Sequence, residues 1–215
     1  MRADADPWRH VARRLSFCPA NFSPSPNLTV HLRFRPYTLE LKHAFTIANF
    51  SRTTTPAMLV EVERDGVVGR GEAAMPPYLG ESQATAAAFF QRVDLARFPD
   101  WFQLEEILPA IDALAPGNTA AKAALDIALH DWVGQKLGAP WYRIWGLDPM
   151  RAPVTSFTIG IDTEEMVRVK TREADIYKII KVKLGRDEAT DRMMIDAIRD
   201  RKSTRLNSSH VKRSR

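Results

Sequence analysis

The sequence predicts an α+β domain followed by strand–helix units of a parallel sheet. Residues 30–35 alternate apolar and polar side chains, and residues 57–73 carry two β-rich runs around an Asp65-Gly66 turn, which is typical of antiparallel strands. Residues 82–137 show the period of helices, and residues 153–199 alternate strand and helix patterns. The composition, 45% apolar and 27% charged, agrees with a folded globular protein.

The antiparallel part begins near Thr29. Val30, Leu32 and Phe34 alternate with polar residues, as in a strand that is buried on one face. The segment AMLVEVERDGVVGRGEA then places two β-rich runs around Asp65-Gly66, a dipeptide that favours two-residue hairpin loops. We therefore predict a hairpin within an antiparallel sheet.

Helices are predicted next, at residues 82–93, 104–114 and 118–137. In the longest helix, Asn118 or Thr119 can cap the first turn, and Gly138 followed by Pro140 ends the last. One face of this helix is apolar and is predicted to be buried: Ala121, Ala124, Leu125, Ala128, Leu129 and Trp132.

Strands and helices alternate after Pro149. The run PVTSFTIGI is β-rich, Asp162 or Thr163 can cap a helix ending near Glu173, YKIIKVK is the next strand, and a helix follows at residues 187–199. Such units form parallel sheets, in which ligands bind at the carboxyl ends of the strands.

Two lysines, Lys181 and Lys183, lie at one of these carboxyl ends. The alternation of a strand puts them on one face together with Tyr177 and Ile179, about 7 Å apart along the strand. A cationic neighbour and burial both favour the uncharged form of a lysine, which is the form that accepts a proton. A solvated pair of surface lysines is the alternative interpretation.

Four segments together resemble the dipeptide epimerases of the enolase superfamily, in the mandelate racemase/muconate lactonizing enzyme family. They are GRGEAAMPPYLGES, ALDIALHDWVGQKLGAPWYRIWG, TSFTIGID and KVKLG. The resemblance implies an α+β capping domain at residues 29–130, followed by the start of a modified TIM (β/α) barrel at residues 131–200. The barrel is then incomplete in this chain.

The same resemblance implies a Mg²⁺-dependent dipeptide epimerase, which moves the α-proton of the C-terminal residue of a dipeptide such as Ala-Glu. Lys183 matches a catalytic base, and Lys181 is its catalytic neighbour and holds the substrate carboxylate. Thr158 matches a substrate-contacting threonine. Arg52 lies in the segment FTIANFSRTTTP, which matches a mobile loop over the substrate. It can pair with an acidic side chain of a dipeptide, and a solvated loop residue is the alternative interpretation.

Two alternatives stay open. Another muconate-lactonizing-type enzyme, such as a cycloisomerase, an N-acylamino acid racemase or an o-succinylbenzoate synthase, would use the same chemistry. A non-catalytic α+β binding module belongs to a different class. The His130-Asp131 pair does not indicate a further active site, because neighbouring residues on a helix point about 100° apart. We expect these residues to contribute to helix packing and to the protein surface.

The two ends of the chain differ from its middle. Residues 1–28 are predicted to be a flexible extension, and residues 201–215, RKSTRLNSSHVKRSR, resemble a non-native basic tail translated from a sequencing adaptor. In the family the Mg²⁺ ligands lie on later barrel strands. We therefore expect no metal ligand in this chain, and we expect the chain by itself to be inactive.

The basic charge lies in this tail. Six of the 31 Lys and Arg residues and none of the 26 Asp and Glu residues lie in residues 201–215, so residues 1–200 carry −1 of the total of +5. We therefore predict neither nucleic acid nor a membrane as partner, and a small dipeptide instead. The lone Cys18 excludes an intrachain disulfide and agrees with a cytoplasmic location. Homo-oligomers of the whole protein are left open.

Overall fold

The computed structural model describes residues 29–201 and 206–208 of the chain. An antiparallel sheet covered by helices is followed by a parallel sheet covered by two further helices. The predictions made for residues 1–28, and for most of residues 201–215, lie outside the described residues. The two predicted structural regions, α+β first and strand–helix units second, are confirmed.

The first sheet has the order β1-β2-β3 and is antiparallel throughout. Its strands are β1 (His31–Ile47), β2 (Phe50–Arg64) and β3 (Val67–Ala74). Asp65 and Gly66 form the predicted two-residue turn with φ angles of 54° and 73°. Positive φ at both positions matches the right-handed twist of the flanking strands, which explains the Asp-Gly sequence.

Four helices follow the hairpin: α1 (Gln83–Phe90), α2 (Leu104–Asp112), α3 (Thr119–Leu137) and α4 (Trp141–Ile144). The first begins at Ser82, whose hydroxyl forms a capping box with Thr85. The third ends, as predicted, at Gly138, which adopts a left-handed conformation with φ of 60°.

The predicted cap of α3 is wrong. Asn118 precedes the helix, but its side chain makes no capping hydrogen bond. The carboxylate of Glu81 caps the helix instead, accepting the N–H groups of Thr119 at 2.6 Å and Ala120 at 2.9 Å. A carboxylate at a helix N-terminus accepts hydrogen bonds from free N–H groups and interacts favourably with the positive end of the helix dipole. The cap comes from a distant segment, so local sequence rules do not find it.

Helix α3 packs directly on β3. A Cβ atom added to Gly71 would lie 2.0 Å from the carbonyl oxygen of Ala124, and one added to Gly69 would lie 2.1 Å from that of Ala128. The glycines therefore permit a close approach of helix and strand. This contact buries the predicted apolar face of α3: Ala121, Ala124, Leu125, Ala128, Leu129 and Trp132.

The second sheet has the order β4-β5-β6, and its neighbouring strands are parallel. Its elements are β4 (Ser156–Ile159), α5 (Glu164–Glu173), β5 (Ile179–Val182), α6 (Glu188–Arg199) and β6 (Leu206–Ser208). Thr163 caps α5 and Asp187 caps α6. A second core lies between the sheet and the two helices, and includes Ile159, Val167, Ile180, Val182, Met194 and Ile198.

Strand β6 lies within the segment that resembles a translated adaptor. Leu206 pairs with Ile180, and Ser208 pairs with Val182. The sequence of this segment has no strand period, but an open strand edge offers unpaired N–H and C=O groups to any extended backbone. Backbone pairing to β5 accounts for a strand that the side-chain pattern does not predict.

Exposed apolar side chains concentrate in the segment of the sequence that connects the two sheets. Those in residues 137–154 are Leu137, Tyr142, Ile144, Trp145, Leu147, Met150 and Val154. The free face of β4, by contrast, carries the polar residues Ser156 and Thr158. Among the described residues, no helix is both long enough and apolar enough to cross a membrane.

Candidate functional site

The two lysines lie on the face of β5 that points away from the second core. Ile180 and Val182, which alternate with them, are 0% and 1% exposed and pack against α5 and α6. Because successive side chains of a strand point to opposite faces, Lys181 and Lys183 share the other face. The predicted placement of this pair is confirmed.

Tyr177 does not share that face. It precedes the first residue of β5, and its ring lies 5.1 Å from the ring of Phe157, centroid to centroid. Phe157 is in register with the buried Ile180, so both aromatic rings lie on the core side. The alternation used for the prediction starts only at Ile179, which explains the error.

The parallel register brings Thr158 next to the lysines. Thr158 on β4 pairs with Lys181 on β5, so both side chains lie on the free face of the sheet. The N–H of Lys183 donates to the carbonyl oxygen of Ile159 at 3.0 Å and extends the ladder by one step. Three of the four predicted site residues therefore lie together at the carboxyl ends of β4 and β5.

The tip of the β1–β2 hairpin, residues 45–52, lies against these strand ends, and we call it the site hairpin. The N–H of Ile161 donates to the carbonyl oxygen of Thr46 at 2.9 Å. A Cβ atom added to Gly160 would lie 2.8 Å from the same oxygen, and one added to Gly185 would lie 3.9 Å from the Cβ of Ala48. The first sheet thus reaches over the end of the second.

The site hairpin is more regular than the mobile loop that the sequence predicted. Phe45 pairs with Arg52 and Ile47 pairs with Phe50, which leaves a two-residue turn. The hydroxyl groups of Thr46 and Ser51 hydrogen-bond at 2.8 Å across the hairpin. Because β-branched and aromatic residues of this segment pair across strands, it continues the sheet.

Arg52 lies at the same end of the molecule as the lysines. Its guanidinium carbon is 5.7 Å from the centroid of the Phe45 ring, and that ring lies 3.6 Å from the position of a Cβ atom on Gly160. The Nε atom of Arg52 is buried and has no hydrogen-bond partner among the described residues. An unpaired buried donor is energetically costly.

The described residues do not form a metal site. Within residues 29–201 and 206–208, no group of three or more His, Cys, Asp or Glu side chains is placed to hold a metal ion. Mg²⁺ takes oxygen ligands in octahedral geometry, commonly one or two carboxylates together with water. The residues around Lys181 and Lys183 therefore do not fit a Mg²⁺ site by themselves.

His130 and Asp131 serve packing, as predicted. His130 lies 2.6 Å from the carboxylate of Asp126, and its ring packs 4.7 Å from that of Trp141. Asp131 accepts the backbone N–H of Arg70 at 2.8 Å on the edge strand β3. The two side chains bind different partners, so they form no common site.

One buried polar cluster was not predicted from the sequence. Lys170 is 4% exposed and hydrogen-bonds to Asp162 at 2.9 Å and to the carbonyl oxygen of Ala44 at 3.0 Å. The available signal was its position in α5, where Val167, Lys170 and Ala174 have the i, i+3, i+7 spacing of a buried face. A lysine on such a face needs a partner.

The arrangement defines a class of protein, in which an α+β domain caps the strand ends of a (β/α) barrel that is incomplete in this chain. The model of the mandelate racemase/muconate lactonizing enzyme N-terminal domain matches residues 30–146. The chain belongs to this family, in the enolase superfamily.

The proteins that this chain resembles include epimerases and a racemase. An L-Ala-D/L-Glu epimerase from Bacteroides thetaiotaomicron is 57% identical over 169 residues, which cover 78% of this chain and 44% of that protein. A dipeptide epimerase from Enterococcus faecalis, complexed with Mg and L-Leu-L-Tyr, matches with a TM-score of 0.72 and 29% identity, over 84% of this chain and 52% of that one.

An N-succinyl Arg/Lys racemase from Bacillus cereus matches the fold equally well, with a TM-score of 0.73 and 25% identity over 84% of this chain and 51% of that one. The chain therefore spans about half the length of the relatives that it matches.

Proposed function

We propose that the whole protein to which this chain belongs is a dipeptide epimerase for substrates of the Ala-Glu type. The observation that carries the proposal is the shared position of Thr158, Lys181 and Lys183 at two neighbouring strand ends below the site hairpin. The 57% identity to an L-Ala-D/L-Glu epimerase supports the same substrate class.

In this proposal Lys183 is the base on one face of the α-carbon. Its uncharged amine accepts the α-proton, the C–H electron pair moves into the adjacent carboxylate group as an enediolate, and the ammonium can return the proton to the same face. Inversion needs a second base on the opposite face, which the described residues do not supply. One lysine therefore accounts for half of the reaction.

Lys181 and Thr158 bind the substrate in the proposal. The ammonium of Lys181 attracts the substrate carboxylate, and the hydroxyl of Thr158 can donate one hydrogen bond. Their shared register fixes the spacing between these two contacts. Holding the carboxylate here places the neighbouring α-carbon beside Lys183.

Arg52 selects the substrate side chain in the proposal. Its guanidinium lies over the Phe45 ring, which limits its orientation. A guanidinium held in this way can bind a carboxylate through two parallel hydrogen bonds. A C-terminal glutamate residue meets this requirement, whereas a basic side chain is repelled.

Mg²⁺, when bound, would stabilise the negative charge of the enediolate. The crystal structure of the Enterococcus faecalis epimerase was solved with Mg and a dipeptide, which supports the same ion here. Because the described residues form no such site, we propose that its ligands lie elsewhere in the whole protein.

The test is epimerisation by the purified whole protein in D₂O with MgCl₂. We expect L-Ala-L-Glu to give L-Ala-D-Glu, with deuterium replacing the glutamate α-proton, followed by ¹H NMR. Failure to convert any of a panel of acidic, apolar and basic L-Ala dipeptides would refute the proposal.

An N-acylamino acid racemase is the second candidate, because the racemase from Bacillus cereus matches the fold as well as the epimerase does. The positive charge of Arg52 favours an acidic side chain over a basic one. Faster turnover of N-succinyl-arginine than of L-Ala-L-Glu would establish this alternative.

A further inference from the structure

The ladder between β1 and β2 is interrupted at residues 41–44, which we call the β1 bulge. Glu40 pairs with Thr54 and Phe45 pairs with Arg52, so β1 takes five steps where β2 takes two. Bulges turn a strand and redirect its groups, often beside a functional site. This bulge directly precedes the site hairpin.

Lys170 holds the bulge from α5. Its ammonium donates to the carbonyl oxygen of Ala44 at 3.0 Å and to the carboxylate of Asp162 at 2.9 Å. Asp162 also accepts the N–H of Thr163 at 2.8 Å, at the start of the same helix. A buried ammonium is stable only when it is paired and hydrogen-bonded, so both acceptors are needed.

Glu173 forms a second attachment, three residues further along the helix. Its two carboxylate oxygens bind Lys42 and His43 of the β1 bulge, each at 2.8 Å. Hydrogen bonds from Lys42 and then from His43 hold the pKa of Glu173 below its ordinary value, so it is ionised at neutral pH. Residues three apart lie on one side of a helix, so Lys170 and Glu173 act on the same segment.

The attachment continues into the site hairpin through the backbone. Thr46, two residues after Ala44, accepts the N–H of Ile161, and Ile161 immediately precedes Asp162. The chain is therefore fixed on both sides of Phe45, whose ring lies beneath Arg52. A shift of the bulge would move the side chain proposed to select the substrate.

We propose that Lys170 and Glu173 are positioning residues, which hold the β1 bulge on α5 and thereby keep the site hairpin over the strand end of Lys181. The effect of these residues on catalysis rests on the proposed function. Their effect on the hairpin itself does not, so the two can be tested separately.

The first test compares Lys170→Met with Arg168→Met in the whole protein, by hydrogen exchange at residues 45–52. Arg168 is a matched control, because it lies on the same helix but binds Glu164 and Asp200. We expect exchange at least about tenfold faster in Lys170→Met, since the hairpin opens locally, and unchanged exchange in Arg168→Met. Equal exchange in the two variants overturns the proposal, whatever their activity.

The second test is kinetic. We expect kcat/KM of Lys170→Met for L-Ala-L-Glu to fall about tenfold, mainly through KM, because the displaced hairpin weakens substrate binding. Lys170→Arg keeps the charge and the donors and should recover part of this loss. A normal KM in Lys170→Met contradicts the proposal, whereas a wild-type protein without activity refutes the proposed function alone.

Glu173→Ala keeps the proposal testable if Lys170→Met fails to fold. The side chain of Glu173 is 29% exposed, so its removal leaves no fully buried charge unpaired. The control is Glu188→Ala, which removes a surface pair with Arg192 on α6. Faster exchange of residues 42–46 in Glu173→Ala alone supports the proposal, and identical exchange in both variants overturns it.

Discussion

Lys183 is the single residue on which the proposed chemistry depends most. Lys183→Ala should lower the rate of epimerisation by at least about 10²-fold, because a positioned base is lost. Binding of Mg²⁺, measured by calorimetry, should persist, since the described residues around Lys183 form no metal site. One substrate stereoisomer should still exchange its α-proton with D₂O, through the base on the other face.

The matched control for this variant is Lys178→Ala. Lys178 is exposed and precedes β5, so its charge is similar but its position is not. Near-normal epimerisation by Lys183→Ala would mean that Lys181 and Lys183 are a solvated surface pair.

Arg52 determines specificity in the proposal, and its loss should act on one substrate class. We expect Arg52→Gln to raise KM for L-Ala-L-Glu by about tenfold or more, the value of a hydrogen bond to a charged group. The KM for L-Ala-L-Leu should change little, because an apolar side chain makes no such bond. Parallel KM changes for both dipeptides would assign Arg52 to the structure of the hairpin instead.

At the scale of elements, α5 and the β1 bulge form a charged junction whose stability should depend on pH. Burial raises the pKa of Asp162, but the hydrogen bonds from Lys170 and Thr163 and the charges of Lys170 and His43 outweigh it, so the pKa lies below the ordinary value of 3.8. A carboxylate with a lowered pKa stabilises the folded state above the unfolded pKa. That stabilisation is lost as the pH falls through the folded pKa.

Asp162→Asn should therefore lower the urea midpoint of unfolding at neutral pH. The difference from wild type should be constant above about pH 5 and should shrink as the pH falls below the ordinary value of 3.8. Unfolding curves of both proteins between pH 3 and pH 7, measured by circular dichroism, give this difference. A difference independent of pH would mean that the charge of Asp162 does not stabilise the junction.

Most elements could be predicted because their signals are local. The Asp65-Gly66 turn, the end of α3 at Gly138 and the cap of α5 at Thr163 each depend on a few neighbouring residues. The β1 bulge has no such signal, since it reflects how two strands align. Strand β6 likewise depends on the open edge of β5.

At the scale of the whole molecule, the exposed apolar side chains of residues 137–154 should have the largest effect on self-association. Trp145 is 62% exposed and Met150 is 88% exposed, and β4 has β5 as its one neighbour in the described sheet. Contiguous apolar surface and open strand edges both promote association. The chain spans about half the length of the relatives that it matches, and within its described residues the second sheet has three strands and is not closed.

We therefore expect the 215-residue chain alone to aggregate or to bind a hydrophobic dye, and not to epimerise L-Ala-L-Glu. Light scattering, dye fluorescence and the NMR assay measure these properties, with the whole protein as control. A monodisperse monomer with a cooperative thermal transition would contradict the first expectation, and measurable turnover would contradict the second.

The sequence by itself determined the order and type of most elements and the face of β5 that carries the two lysines. Periodicity, turns and caps are properties of short segments, and alternation along a strand requires no knowledge of its neighbours. For the same reason the sequence located Lys181 and Lys183 at a strand end, where ligands of parallel sheets bind.

Only the tertiary structure decided which distant residues meet. Glu81 caps α3 from 38 residues away, and Lys170 reaches the carbonyl oxygen of Ala44 across 126 residues. Thr158 reaches Lys181 through the register of two strands. These contacts depend on how whole elements pack, and packing depends on the shape and burial of many side chains together rather than on any local pattern.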